Sequence, residues 1–260
     1  MSGLGAFEQD ADERRMRLDE LLASSEVAER STVVEALTPL LRWPVVRLAL
    51  PRIVAHLAAA GSPRRAALCL AQGVQTLEQN RGDASPLLVE PVLNVLISLS
   101  GASAWAARLI AMDPGLAVEL GILDPSTVDD GRFDFLSSLL RIVFAVDGDT
   151  AAFDRSLRRY RHRHLLRLAL LELRAADVRD TSAALASLAD AVLEASLQHH
   201  RARLVEELGV PAPSCAAVVM GMGKLGGREL NYSSDIDVIY LYVSSETRRD
   251  GEVGRRPRNE

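Results

Sequence analysis

The chain has 260 residues, of which 48% are hydrophobic, enough to bury a sizeable core in one or two domains. Aromatic residues are only 4%, while Ala and Leu abound, which favours helix over sheet. The net charge of −5 gives no global reason to expect nucleic acid as a partner, and no uncharged apolar run reaches the roughly 18 residues that a membrane span needs.

Residues 1–10 read as frayed. Asp10 or Asp12 then caps a helix whose apolar positions are Met16, Leu18, Leu21 and Leu22, and Ser24-Ser25 ends it. The acidic start lacks the basic-then-apolar order of a secretion signal, so a cytoplasmic protein is expected. A second helix is predicted from Glu26 to Leu41, with Pro44 ending or kinking the chain after Trp43. A third runs from Val45 to Ala60, interrupted near Pro51. Gly61-Ser62-Pro63 breaks the chain before a fourth, Arg64 to Gln79, whose Leu68, Leu70 and Val74 have the spacing of a buried face. Asn80 to Ser85 is a loop, and its Arg-Gly-Asp is read as coincidence rather than an adhesion motif. Leu87 to Ser100 is another helix, and Ser103 caps the next, which carries Trp105, Leu109 and Ile110. Asp113-Pro114 and Asp124-Pro125 are stops, and Phe133 to Val146 reads as an apolar core helix. No fixed period repeats along the chain, so a regular solenoid is not supported.

Thr150 to Asp177 is the most charged helix, with Arg155, Arg158, Arg159, Arg161, Arg163 and Arg167 around His162 and His164. It reads either as an electropositive face or as a solvated face with Leu157, Tyr160, Leu165, Leu168 and Leu171 turned inward. Arginines beside the histidines disfavour a bound cation. Thr181 or Ser182 caps a last long helix to about Leu208, with Leu185, Leu188, Val192 and Leu197 buried. Its adjacent His199 and His200 point in different directions and share a metal poorly. Gly209 is a C-cap, and Pro211 and Pro213 mark a boundary. Cys69 and Cys215 lie in apolar surroundings without a metal-ligand spacing and read as free thiols of a reducing compartment.

The chemistry sits near the end, in Gly221-Met-Gly-Lys-Leu-Gly-Gly-Arg-Glu-Leu-Asn-Tyr-Ser-Ser-Asp-Ile-Asp237. An apolar run, Ala216 to Met220, enters it and a second, Val238 to Val243, leaves it. The pattern predicts a strand, a glycine turn, a short helical turn and a strand opening with two aspartates. Alternation places Asp235 and Asp237 on one face, with Ile236 on the other. Two such carboxylates call for a compensating charge, most simply a hard divalent cation, which takes oxygen ligands and pairs with phosphate. The glycines let backbone N–H groups approach a phosphate. Two other readings stand beside this one. The spacing Gly221-x-Gly223-x-x-Gly226, with Glu246 further on, also fits a dinucleotide fingerprint, but only Arg228 to Ser234 separates the glycines from the next strand, too few for the helix of a parallel crossover. A polar turn with both aspartates solvated is the plainer alternative. A P-loop is excluded, because Lys224 lies between the glycines and no Lys-Ser/Thr pair comes after the last of them.

These residues resemble the signature of the glutamine synthetase adenylyltransferase family, bifunctional enzymes also called adenylyl-removing enzymes. That family carries two nucleotidyltransferase domains of the DNA polymerase β type. The Gly-Met-Gly before Lys-Leu-Gly-Gly, and the Glu-Leu-Asn before Ser-Asp-Ile-Asp, resemble the N-terminal, adenylyl-removing copy. A weaker likeness runs upstream from about Phe153. The resemblance implies a mainly helical region over residues 1–209, then the incomplete opening of an α/β nucleotidyltransferase domain over 210–260. It implies Mg²⁺ on Asp235 and Asp237 as the catalytic and metal-holding pair. Gly221, Gly223, Lys224, Gly226, Gly227 and Ser234 would then lie under the phosphates of an adenine nucleotide, ADP or ATP. Inorganic phosphate is the implied co-substrate. The implied partners are glutamine synthetase and a PII-type signalling protein.

The resemblance also implies a third carboxylate from a later strand, in an Arg-Val-Asp-Leu-Arg-Leu-Arg-Pro-like segment. No such segment is present, and the residues after Pro213 are too few for a sheet with its own core. The sequence therefore reads as a fragment or truncated product. The alternatives are a catalytically incomplete module that binds a nucleotide or partner, and a nucleotidyltransferase with another substrate.

Overall fold

The computed structural model describes residues 3–80, 82–122, 134–145, 149–209 and 216–243. The chain packs as two compact units, one of residues 1–133 with 158–184 and one of residues 134–157 with 185–260.

The described elements of the first unit are all helices or 3₁₀ turns. It contains α1 (Gly3–Ser24), α2 (Arg30–Leu37), α3 (Pro44–Ala58), α4 (Pro63–Gln79), α5 (Val92–Ala102), α6 (Ala104–Met112) and α7 (Gly115–Ile122). Short 3₁₀ turns lie at Thr38–Arg42 and Ser85–Leu88. Its core is built on Leu37, Leu40, Ile53, Leu57, Leu70 and Leu93, with Leu166 and Leu170 of the helix Thr150–Leu173. Helices α4, α5, α6 and α7 meet through small residues. A methyl group on Gly121 of α7 would lie 2.6 Å from the Val92 backbone of α5, so only glycine allows that approach. Arg65 on α4 donates from Nε to the Ser100 carbonyl at 2.7 Å and from Nη2 to the Gly101 carbonyl, satisfying the open C-terminal end of α5.

The second unit holds α8 (Phe135–Ala145), the first turns of α9 (Thr150–Leu173), most of α10 (Val178–Leu208), and a hairpin of β1 (Ala216–Gly221), α11 (Gly223–Gly226) and β2 (Val238–Val243). Phe153 of α9 stacks on His199 of α10 with ring centroids 4.0 Å apart. His199 and His200 meet edge-on, 78° between their planes, as adjacent residues on a helix should.

Several local expectations shift. Helix α1 begins at Gly3, so Asp10 and Asp12 lie inside it rather than capping it; Asp10 instead pairs with Arg14 one turn on. Helix α2 starts at Arg30, because Glu26 and Glu29 adopt left-handed backbone with φ 54°. Pro44 opens α3 at its first position, where no N–H is needed. Pro51 does not interrupt that helix; it lies on an exposed face, where water can serve the carbonyl it leaves unpaired. Leu68 is 45% exposed, and the buried stripe of α4 is carried by Ala66, Ala67, Leu70, Ala71 and Val74. Leu87 belongs to the 3₁₀ turn, and α5 starts after Pro91. Asp177, not Thr181, caps α10: its Oδ1 accepts from the Arg179 N–H at 2.8 Å, while Thr181 sits inside the first turn.

Ser103 does cap α6, its Oγ accepting from the Ala106 N–H at 3.3 Å. Gly209 closes α10 with φ 87°. The arginines of α9 divide between the two readings. Arg159 reaches Asp113 at 2.7 Å and Glu119 at 2.5 Å, and Arg163 reaches Glu119 at 3.6 Å, whereas Arg158 and Arg161 are exposed. Asp124-Pro125, Pro211, Pro213 and Cys215 lie outside the described residues. None of the described helices is long and apolar enough to cross a membrane.

Candidate functional site

Strands β1 and β2 pair antiparallel in a register that sets Gly221 opposite Val238 and Ala216 opposite Val243. One more bond extends the ladder, from the Met222 N–H to the Asp237 carbonyl at 2.8 Å. The antiparallel pairing overturns the dinucleotide alternative, which needs a parallel strand–helix–strand crossover.

The helical turn lies within the glycines themselves rather than after them. Met222 enters in extended conformation, Gly223 takes φ 51°, and α11 closes with the Gly227 N–H donating to the Gly223 carbonyl at 3.0 Å. Left-handed backbone at Gly223 is what turns the chain from strand into helix, and an L side chain there is strained. Gly226 is fixed by a close approach: a Cβ would sit 2.7 Å from the Gly221 carbonyl oxygen. Leu225 points inward, 4% exposed, and fills the space left by the missing side chain of Gly221. Helix geometry leaves the N–H groups of Gly223, Lys224 and Leu225 without intrahelical partners.

The return path is held by its own polar groups. The Asn231 N–H donates to Ser234 Oγ at 3.1 Å, and the Ser233 N–H donates to Asn231 Oδ1 at 3.0 Å. The Ser234 hydroxyl thus accepts from the turn and keeps its own proton for another acceptor. Leu230 anchors this segment, 4% exposed.

The second strand does not open with the two aspartates: Asp235 and Asp237 lie in the residues immediately before β2, both exposed. Asp237 lies against the glycine turn: a Cβ on Gly223 would come within 3.1 Å of Asp237 Oδ2. Among the described residues neither carboxylate has a hydrogen-bond or ion-pair partner, and neither does the exposed ammonium of Lys224. Two oxygen-donor carboxylates without a competing cation suit Mg²⁺, which is commonly bound by one or two carboxylates plus substrate phosphates. No set of three His, Cys, Asp or Glu side chains capable of holding a metal comes together among the described residues.

One contact escaped sequence reading. Arg228, with φ 57°, sends its guanidinium across to α10, where Nη2 donates to Ser187 Oγ and Nη1 lies 3.5 Å from Asp190 Oδ2. Its partners are about forty residues away in sequence, and no periodicity links them.

The glutamate-ammonia ligase adenylyltransferase family matches residues 93–259, which is more than half of the chain and includes the whole hairpin. The chain belongs to that family. The match begins well upstream of Phe153, where the weaker likeness in the sequence starts. Relatives named bifunctional glutamine synthetase adenylyltransferase/adenylyl-removing enzyme align with it. The protein from Thioalkalivibrio sulfidiphilus is 34% identical over 163 residues, covering 60% of this chain and 16% of its own length. That from Shewanella loihica is 32% identical over 173 residues, 65% of this chain and 18% of its own. That from Neisseria meningitidis serogroup B is 36% identical over 151 residues, 56% of this chain and 16% of its own. The chain therefore spans less than a fifth of the length of these relatives.

Proposed function

We propose that this chain carries the adenylyl-removing site of a bifunctional glutamine synthetase adenylyltransferase, acting on adenylylated glutamine synthetase in the cytoplasm under a PII-type signal. The domain reading goes with it: a helical region over 1–209 and the opening of a nucleotidyltransferase domain over 210–260. The observation that carries the proposal is the exposed carboxylate of Asp237 set against the glycine turn within the family match, with that of Asp235 two residues before it in the chain.

In the proposed reaction a phosphate oxygen attacks the phosphorus of the adenylyl group on a glutamine synthetase tyrosine. The bond from phosphorus to the phenolic oxygen breaks, the tyrosine oxygen takes up a proton, and ADP leaves. Asp235 and Asp237 would hold Mg²⁺, which would supply charge neutralisation at the phosphoryl oxygens. The turn at Gly221, Gly223, Gly226 and Gly227 would form the floor under the phosphates. Lys224 supplies a point charge, and the Ser234 hydroxyl its free proton.

The test uses the full-length protein with its second catalytic site inactivated. Asp235→Asn should lower phosphate-dependent ADP release from adenylylated glutamine synthetase by about 100-fold or more, with the fold intact by circular dichroism. Undiminished release would refute the proposal.

A second reading is a catalytically incomplete module. In that reading the site binds a nucleotide or a partner without turnover. Mg²⁺-dependent nucleotide binding that survives Asp235→Asn, with no ADP release in the parent, would select it.

A further inference from the structure

We infer that Arg228 is a positioning residue of this site, acting through α10 rather than on the substrate. The inference rests on the functional reading above and concerns how the glycine turn is held in place.

The turn keeps its shape through its own backbone bonds and the buried Leu225 and Leu230, and Arg228 ties it to α10. It is a single helical turn of four residues between two short strands, and β1 and β2 expose large apolar residues such as Val218, Met220, Tyr240 and Tyr242. A two-stranded hairpin is marginal by itself. The residue that leaves the turn is Arg228, and it does so in left-handed backbone, a conformation that L residues adopt at a cost. That backbone comes directly after Gly227, the C-cap of α11.

On α10, Ser187 and Asp190 are three residues apart and so lie on the same helical face. Arg228 spans them, with Nη2 on the Ser187 hydroxyl and Nη1 3.5 Å from the Asp190 carboxylate. A planar fork that meets two acceptors fixes direction as well as distance, which a lysine ammonium does not. All three residues belong to the second unit. The site residues around Arg228 are close in sequence: Lys224 four residues before it, and Gly223, whose Cα faces Asp237. Holding Arg228 therefore holds the turn that carries Lys224 and abuts Asp237.

The Arg228–Asp190 pair is half exposed, 50% and 56% for the two side chains, so it contributes little to stability. Its effect is expected in geometry. A turn displaced by about 1 Å can cost a reaction up to about 100-fold.

The experiment compares Arg228→Ala, Arg228→Lys, Ser187→Ala with Asp190→Asn, and the combination of all three alanine or asparagine changes, in the full-length protein. The assay is phosphate-dependent ADP release, with melting temperature and Mg²⁺-dependent ADP binding measured alongside. Alanine keeps the same backbone penalty at φ 57°, so the comparison isolates the side chain. The expected result is a fall in kcat of about 10-fold or more for Arg228→Ala at unchanged melting temperature, with incomplete rescue by lysine. The Ser187→Ala/Asp190→Asn protein should show the same fall, and the combined variant should be no worse than Arg228→Ala alone.

Two results overturn the inference. One is a raised KM for phosphate in Arg228→Ala that Ser187→Ala/Asp190→Asn does not share, which makes Arg228 a direct substrate contact. The other is a change of less than about two-fold in kcat. The functional reading fails separately, if Asp235→Asn retains ADP release.

Discussion

Gly223→Ala tests the geometry of the site most directly. The glycine has φ 51°, where an L residue costs about 1–2 kcal/mol. The new methyl group would lie 3.1 Å from Asp237 Oδ2, tighter than an ordinary contact. Asp237 is exposed, so its carboxylate can swing away at little energetic cost. The stability loss should therefore be the backbone cost alone, a melting shift of roughly 2–8 °C. The functional loss should be larger, because the group that moves is half of the proposed metal site. A drop of about 10-fold or more in Mg²⁺-dependent nucleotide affinity and in ADP release is expected. Gly223→Asn separates the two effects. Asparagine tolerates left-handed backbone, so stability should return while the contact with Asp237, and the functional loss, remain. Gly227→Ala is the control: with φ −79° and its nearest contact at 3.5 Å, it should stay within about 0.5 kcal/mol of the parent. The variants are compared by differential scanning calorimetry and by calorimetric titration of ADP with Mg²⁺. Unchanged affinity in Gly223→Ala, or an equal loss of stability in Gly227→Ala, would refute the reasoning.

Two further outcomes concern the helices. Burial, reinforced by Arg163 and Arg167, lowers the His164 pKa to about 3, so the folded protein keeps this imidazole neutral while the unfolded chain protonates it near 6.5. The unfolded state thus binds more protons below pH 6.5: the stability contribution is full above that pH and falls toward pH 3 by about 1.4 kcal/mol per pH unit. Urea unfolding of His164→Gln should show a shallower loss between about pH 6.5 and 5 than the parent. Cys69 is buried, donates to the Ala107 carbonyl at 3.4 Å, and has its thiol pushed up to about 11 by burial. In a Cys215→Ser background its reaction with a disulfide reagent at about pH 8 should be gated by unfolding, and fast labelling in native buffer would contradict the burial.

How much the sequence discloses depends on the range of the interactions involved. Strand β2 occupies Val238–Val243 as its apolar run predicts. The antiparallel return is not fixed by length, since residues 222–237 between the strands are enough for a crossover as well. Ser103 and Gly209 perform their terminal roles because a cap acts within a few residues. Expectations fail where a partner lies far along the chain or where competing local signals exist. Leu68 has the spacing of a buried residue, yet α4 packs its alanines and Gly73 inward, since close-packed helices select small side chains. Thr181 is a good cap by type, but Asp177 stands four residues earlier and takes the role. The arginines of α9 look alike in sequence; only the fold brings Asp113 and Glu119 to Arg159 and leaves Arg158 and Arg161 to solvent.

The same distinction separates two properties of the hairpin. Its shape is written into Gly221 to Asp237: a left-handed glycine, a glycine that admits a carbonyl at 2.7 Å, and a serine that accepts from Asn231. Such features act between near neighbours in the chain, which is why 17 residues suffice to make the shape of the turn legible. Its placement is set by side chains with no signature of their own. Leu225 and Leu230 are the two buried apolar residues of the turn, and Arg228 is the polar link to α10. Substitutions at the glycines should therefore change what the site can bind. Substitutions at Arg228, Ser187 or Asp190 should leave the shape intact and change how well it is aimed, which separates affinity from turnover.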